Sequence, residues 1–309
     1  MINVLFAAHA DRWDDYKETL RAAFDALSLQ VDLRTDFAPD QVDYIVYAPN
    51  SAVQDFTPYT RAKAVLNLWA GVENVVGNTT LKIPLARMVD PGMTQGMVEW
   101  CCGHTLRHHL GMDRHILGQD GTWRAGYPPL ASDRRVTVLG MGELGGTVAQ
   151  RLSDFGFRVT GWSRSPKSIA GIDTLHGDDG LEQALARADI LVMLLPLTAQ
   201  TENLLNADRL ARMPHGAFII NPGRGPLIDD DALLDALNSG QIAHATLDVF
   251  RVEPLPASHP FWAHPGVTVT PHIASETRAK TASQVIAENI RRGEVGEPFL
   301  HLVDRSAGY

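Results

Sequence analysis

The stretch VTVLGMGELGGTVAQRL sets glycines at positions 140, 142 and 145 between an apolar, strand-like run and a helical pattern. A strand that turns at once into a helix needs one residue free to take positive φ and others bare enough for close approach. Gly140 is read as the tight turn, Gly142 as the place where backbone can approach a pyrophosphate, and Gly145 as the close contact between helix and strand. The helix N-terminus would present its unpaired N–H groups to the phosphates. Three glycines at this spacing are weak evidence alone. The strand before them, the helix after them and a second strand, FRVTGW, about a dozen residues on make a dinucleotide the expected ligand. Met141, Glu143 and Leu144 complete the loop.

At the end of that second strand an acid would accept hydrogen bonds from a ribose 2′-hydroxyl and repel a phosphate. This chain instead carries Ser163, Arg164, Ser165 and Lys167. Neutral and positive groups there can meet a 2′-phosphate by charge-assisted hydrogen bonds, so the expected cofactor is NADPH, with NADH the weaker alternative.

Downstream, apolar runs alternate with helical patterns, which predicts a parallel sheet covered by crossover helices. Six strands are expected, at 136–139, 158–162, 190–195, 217–220, 245–249 and 267–270, and together they make a Rossmann nucleotide-binding domain. The first hundred residues repeat the style on a smaller scale, with strands at 4–8, 43–48, 66–69 and 83–87 and a helix at 16–27. One helical stretch is expected over 94–117 and another over 276–292. The fold class is therefore α/β, with two doubly wound domains, the smaller one flavodoxin-like. Residues 1–98 plus 277–309 are expected to form the substrate domain and 99–276 the NADP-binding domain. A crevice between domains is the usual place for a ligand.

Composition narrows the partners. The 309 residues carry 36 acids against 27 lysines and arginines, a formal charge of −9, which argues against nucleic acid. The opening MINVLFAAHADRW has neither a basic leader nor a cleavage pattern, and no apolar run approaches membrane-spanning length. Two adjacent cysteines, Cys101 and Cys102, exclude a disulfide framework. A cytoplasmic protein without a membrane partner is expected.

Polar residues recur just beyond the later strands, at the edge where doubly wound sheets bind ligands. Arg224 sits between Gly223 and Gly225 and could pair bidentately with a carboxylate. His272 follows Pro271 at the last strand, and a histidine beside a carboxylate suits proton transfer near neutral pH. Glu253 is its expected partner. Asp248 either approaches the cofactor or orders its own loop. His104, His108, His109 and His115 crowd one helical stretch, but no neighbouring ligand set completes a metal site, so no metal is expected.

With these residues in place, the chain resembles the D-isomer-specific 2-hydroxyacid dehydrogenase family. LWAGVEN, GMGELG, LLPLTAQTENLL, INPGRGPLIDDDALLDAL, ATLDVFRVEPLP and HPGVTVTPHIAS occur in order across nearly the whole chain. The resemblance implies that Arg224, Glu253 and His272 are the catalytic arginine, acid and histidine. It implies that Trp69, Ala70, Gly71 and Val72 cradle the substrate, with Arg224 and His272 also touching it. Leu195, Pro196, Pro222, Gly223, Arg224 and Asp248 would join the glycine loop around the cofactor. WSRSPKS and the terminal VDRSAGY are similar to the NADPH-preferring glyoxylate and hydroxypyruvate reductases of the bacterial A type, which adds Arg87 to the substrate residues. A homodimer through the nucleotide-binding domains is implied as well. Two departures stand out: Trp69 where many relatives carry a smaller residue, and Glu73 where Asp is usual. The expected reaction is reduction of glyoxylate or hydroxypyruvate by hydride transfer from NADPH. The alternatives are a D-lactate or phosphoglycerate type dehydrogenase, and a nucleotide-sensing, co-repressor-like binding protein without turnover.

Overall fold

Apolar runs buried on both faces favour parallel pairing, because crossover helices must cover each side of the sheet. In the computed structural model, described over residues 1–308, every pair of named strands is parallel. Along the chain come β1 (Ile2–Ala7), α1 (Arg12–Ala26), β2 (Val31–Arg34), β3 (Tyr44–Tyr47), β4 (Ala64–Asn67), α2 (Glu73–Val76), β5 (Leu85–Ala86), α3 (Pro91–Leu110) and α4 (Met112–Ile116). These are followed by β6 (Arg135–Leu139), α5 (Glu143–Asp154), β7 (Arg158–Ser163), β8 (Asp173–His176), α6 (Gly177–Ala186), β9 (Ile190–Met193) and α7 (Ala207–Arg212). The chain closes with β10 (Ala217–Asn221), α8 (Asp230–Asn238), β11 (Ile242–Leu247), β12 (Val267–Val269) and α9 (Ala279–Val295). Two units form, Met1–Met93 with the segment from Glu276 onward, and Thr94–Ser275.

The first unit is a five-stranded sheet in the order β2-β1-β3-β4-β5, the flavodoxin-like arrangement. Successive residues of β1 alternate between its two cores: Val4 and Phe6 join one, Leu5 and Ala7 the other. The C-terminal helix belongs here because Ala282, Ile286 and Ile290, four apart on α9, pack with Tyr16, Leu20 and Phe24 of α1. The helix begins at Ala279 rather than 276, since Glu276 instead pairs with Arg12 at 2.8 Å and the Thr277 hydroxyl donates to the Leu68 carbonyl.

The second unit has seven strands, not the six expected, in the order β12-β11-β10-β9-β6-β7-β8. The direction of strand addition reverses between β6 and β9, the topological switch point at which doubly wound folds hold their ligands. The overlooked strand is β8, whose sequence DTLH is exposed at both ends and offers no apolar run. β2, with sequence VDLR, likewise offers no apolar run, although its Leu33 is buried. Both are edge strands with a single hydrogen-bonded neighbour. The helix expected over 94–117 is two helices, because Gly111 takes the left-handed conformation (φ 61°) that ends α3. α8 is capped by Asp229, whose side chain accepts the Ala232 N–H at 3.1 Å.

Candidate active site

The glycine loop leaves β6 at the switch point. Gly140 has φ 100°, and a Cβ there would lie 2.4 Å from the Leu194 carbonyl oxygen; one on Gly145 would lie 1.7 Å from the Gly140 oxygen. Only glycine permits this approach of α5 to the strand end. At Gly142, which precedes α5, a Cβ would meet nothing within 4 Å, so the space above the helix N-terminus is open where a pyrophosphate fits. The neighbouring loop, carrying Leu195 and Pro196, comes against it through the Leu194 N–H bonded to the Leu139 carbonyl at 2.8 Å. Met141 is buried, its side chain lying against Gly161 of β7. Glu143 opens the first turn of α5 and Leu144 packs at the edge of the core beneath.

At the end of β7 the Ser163 hydroxyl donates to the Ser165 carbonyl at 2.7 Å, which curls the loop. Arg164, Ser165 and Lys167 are exposed on it, and no carboxylate lies between Ser163 and Ser168. The Thr174 hydroxyl holds the Lys167 carbonyl at 2.7 Å, pinning the loop to β8. The residues therefore fit a dinucleotide carrying a 2′-phosphate: open backbone at a helix N-terminus for the pyrophosphate, and a basic loop for the extra charge.

Three loops on the other side of the switch point assemble the polar residues. After β10, the buried Asn221 side chain accepts the Gly223 N–H at 3.1 Å and donates to the Arg224 carbonyl at 2.9 Å, fixing the turn that contains Pro222 and Gly223. The Arg224 guanidinium leans on the Gly223 carbonyl at 2.6 Å. After β11, Asp248 is fully buried and accepts from the Thr270 hydroxyl (2.6 Å), the Ile273 N–H (2.9 Å) and the Ala274 N–H (2.8 Å). Of the two roles open to it, this geometry displays the ordering of the loop that carries His272. That loop needs ordering, because His272 sits at φ 54°, a conformation that costs about 1–3 kcal/mol outside glycine.

The His272 Nδ1 lies 2.7 Å from the Glu253 Oε2, while the Phe250 N–H donates to Oε1 at 2.8 Å. The Glu253 hydrogen bond raises the His272 pKa above its ordinary value, overcoming the opposing burial and the Arg224 charge. For Glu253, burial raises the pKa, but the bonds from His272 and the Phe250 N–H prevail and lower it. An ionised Glu253 can only accept, so Nδ1 carries a proton and Nε2 is left for the ligand. The charge of Arg224 acts on both members of the pair. Arg224, Glu253 and His272 are thus brought into one electrostatic cluster in the second unit.

In the first unit, the loop after β4 holds Trp69, Ala70, Gly71 and Val72. Its carbonyls are tied inward: the Asn67 amide donates to Trp69 O at 2.9 Å and Gly71 O at 3.1 Å, and the Met88 N–H to Trp69 O at 3.0 Å. The N–H groups of Ala70, Gly71 and Val72 are what the loop has left to offer an anion. Arg87, half-buried after β5, is positioned by its N–H on the His301 carbonyl at 3.0 Å. Within the C-terminal VDRSAGY run, the Arg305 guanidinium donates to the carbonyls of Val76 at the end of α2 and of Asn78 and Leu81 in the loop after it; Tyr309 lies outside the described residues. Sequence reasoning missed the parts of Arg305 and Asn221, although an Asn-Pro-Gly turn at a strand end was a readable signal for the second.

Three of the crowded histidines pack on aromatic rings. His108 is buried, stacked on Phe218 at 4.8 Å, with Nε2 bonded to the Thr246 hydroxyl at 2.9 Å. His109 meets Phe157 edge-on and His104 packs on Trp100. Among the described residues no group of three or more His, Cys, Asp or Glu is arranged to hold a metal, and no helix is long and apolar enough to cross a membrane.

Known proteins share this arrangement. The family profile described as D-isomer specific 2-hydroxyacid dehydrogenase, NAD binding domain, matches residues 102–274. Glyoxylate/hydroxypyruvate reductase A of Serratia proteamaculans is 41% identical over 257 residues, covering 81% of this chain and 82% of that protein. Among solved structures, a D-isomer specific 2-hydroxyacid dehydrogenase from Xanthobacter autotrophicus Py2, in complex with NADPH and MES, superposes with a TM-score of 0.93 at 41% identity, over 100% of this chain and 99% of that one. An NADPH-dependent glyoxylate/hydroxypyruvate reductase from Sinorhizobium meliloti, in complex with NADP and sulfate, gives 0.85 at 34% identity over 100% of both chains. With the switch-point glycine loop and the strand-end cluster already in place, these matches make the chain a member of the D-isomer specific 2-hydroxyacid dehydrogenase family.

Proposed function

We propose that this chain reduces a small 2-oxo acid, glyoxylate or hydroxypyruvate, to the 2-hydroxy acid with NADPH. The observation that carries the reading is the 2.7 Å His272–Glu253 pair under the charge of Arg224, in the same unit as a glycine loop and an acid-free basic loop. The names of the relatives and their NADP complexes support it. They do not favour a D-lactate or phosphoglycerate type, and the assembled cluster does not favour a pure binding protein.

NADPH, when bound, supplies the hydride. Gly140, Met141, Gly142, Glu143, Leu144 and Gly145 form the loop proposed for its pyrophosphate, and Ser163, Arg164, Ser165 and Lys167 the site for its 2′-phosphate. Leu195, Pro196, Pro222 and Gly223 line its path, and Asp248 acts through the loop it orders. Arg224 pairs with the substrate carboxylate and polarises the adjacent carbonyl. His272, protonated and oriented by Glu253, gives its Nε2 proton to the carbonyl oxygen as negative charge develops there. From the first unit, the N–H groups of Ala70, Gly71 and Val72 are proposed to hold carboxylate oxygens, with Trp69 and Arg87 beside them. In this scheme residues 1–98 plus 277–309 serve the substrate and 99–276 the nucleotide.

A homodimer through the nucleotide-binding unit belongs to the same proposal. It is supported by a segment whose large apolar side chains stand in solvent, with Leu117 80%, Trp123 95% and Tyr127 99% exposed, more than a lone chain usually leaves uncovered. A reducing compartment, the cytoplasm, is the proposed location, supported by the free, buried Cys101 and Cys102.

Replacing His272 by Gln tests the mechanism. Turnover with glyoxylate should fall about 10²- to 10⁴-fold while NADPH binding, followed by fluorescence, stays within about twofold. A variant with near-normal turnover would remove His272 from the role of acid.

A further inference from the structure

Three loops beyond the strand ends of the second unit are joined at one side chain. The loop after β9 is zipped to the loop after β10: the Asn203 N–H donates to the Pro226 carbonyl at 2.8 Å, and the Leu205 N–H to the Leu227 carbonyl at 3.0 Å. The loop after β10 also lies directly against the loop after β11, since a Cβ on Gly225 would fall 2.0 Å from the Phe250 carbonyl carbon. At that contact the chain runs Phe250, Arg251, Val252, Glu253, and the Phe250 N–H donates to the Glu253 Oε1. Arg251 reaches back across both neighbouring loops. Its Nη2 donates to the Ile228 carbonyl after β10 at 2.7 Å, and to the Asn203 Oδ1 after β9.

The ion pairs of Arg251 do not account for this placing. Glu202 and Asp230 each lie 3.7 Å from its guanidinium and stay partly exposed, and Asp230 is shared with the His259 Nε2, also at 3.7 Å. Pairs at that distance and exposure contribute little. The two hydrogen bonds act differently, because a guanidinium is planar and its donors point in fixed directions. One that bonds to two loops fixes the backbone that carries it. Asn203 is itself constrained, at a left-handed φ of 50° that is held by the bonds on its N–H and its side chain. The joint therefore sets where residue 251 stands, two residues before the Glu253 whose Oε2 meets the His272 Nδ1 at 2.7 Å. A carboxylate–imidazole bond of that length weakens steeply when either partner is displaced or tilted.

We propose that Arg251 is a positioning residue: by joining the loops after β9 and β10 to the loop after β11, it holds the Glu253 carboxylate on His272 and keeps that pair in register with Arg224. It touches no reacting atom. The inference rests on the reductase reading above for its effect on turnover, and deepens it by naming what aligns the acid; the alignment itself is readable without turnover. The charged groups around His272 are Glu253, Arg224 and Asp248. Losing the Arg251 cation alone would raise the His272 pKa, because a positive charge is removed, whereas losing the alignment of Glu253 would lower it. The two effects have opposite signs.

The test is the His272 pKa, followed by NMR of carbon-labelled histidine and assigned by the signal lost in His272→Gln, in the wild type, in Arg251→Met and in Asn203→Gly. Methionine keeps a long flexible stem and glycine suits the left-handed φ, so each variant removes the joint and little else. In both, the pKa should fall by about half a pH unit or more, a part of the worth of a charge-assisted hydrogen bond. Turnover with glyoxylate at neutral pH should fall about tenfold, with NADPH binding unchanged within about twofold. The proposal is overturned if the pKa is unmoved or raised in either folded variant; should Arg251→Met fail to fold, Asn203→Gly decides alone. A wild type that reduces glyoxylate while neither variant lowers the pKa overturns the joint and leaves the reductase reading standing. A wild type inert toward 2-oxo acids, with the pKa lowered in the variants, overturns the reductase reading and leaves the joint standing.

Discussion

Two hydrogen bonds decide the chemistry of a single imidazole. Glu253 raises the His272 pKa, and the Phe250 N–H helps keep Glu253 ionised to do so. For a reductase whose acid is protonated His272, activity declines as pH rises through the histidine pKa. Replacing Glu253 by Gln removes the cause of the upward shift, so the decline should begin at lower pH, as initial rates across pH 5 to 9 would show. An unmoved profile would mean that Glu253 does not set the protonation of His272. Arg224 and His272 stood out as candidates in the sequence because each lies just past a strand end, and Glu253 because it follows in the loop after β11. The role of Asp248 was not legible, since a carboxylate that takes three donors and one that meets a ligand look alike until the donors are located.

At the scale of elements, helices and central strands were readable because they carry apolar periodicity, whereas the edge strands β2 and β8 were missed because exposure lets their sequences be polar. α3 shows a further consequence of burial. His108 is buried against Phe218, and His244 bonds the Thr268 hydroxyl at 2.8 Å. Burial, assisted by the charges of His244 and Arg107, lowers His108 to about 3, and burial, assisted by the charge of Arg107, lowers His244 to about 4. Their ordinary value is near 6.5, so unfolded chains take up protons below that pH while the folded state does not. The stability they lend is complete above about pH 6.5 and is lost as pH falls toward 4 and then 3. Each contributes a slope of about 1.4 kcal/mol per pH unit in that window. Urea unfolding of His108→Gln between pH 6 and 4 should therefore show a pH slope shallower by about that amount. An identical slope would show that His108 is protonated in the fold.

The whole molecule repeats one device twice: a parallel sheet with a switch point where the direction of strand addition reverses. A net charge of −9 gives no general attraction for anions, so a 2′-phosphate and a substrate carboxylate need particular residues to meet them, the roles proposed for Arg164 and Lys167 and for Arg224. The measurement that bears on this most directly is initial-rate oxidation of NADPH at neutral pH with glyoxylate, hydroxypyruvate, pyruvate and a larger 2-oxo acid, repeated with NADH. Glyoxylate or hydroxypyruvate should be reduced, with kcat/KM for NADPH exceeding that for NADH by about ten- to a hundredfold, the worth of a charged hydrogen bond to the phosphate. A protein that binds NADPH but reduces none of these acids, or that works as well with NADH, would contradict the account.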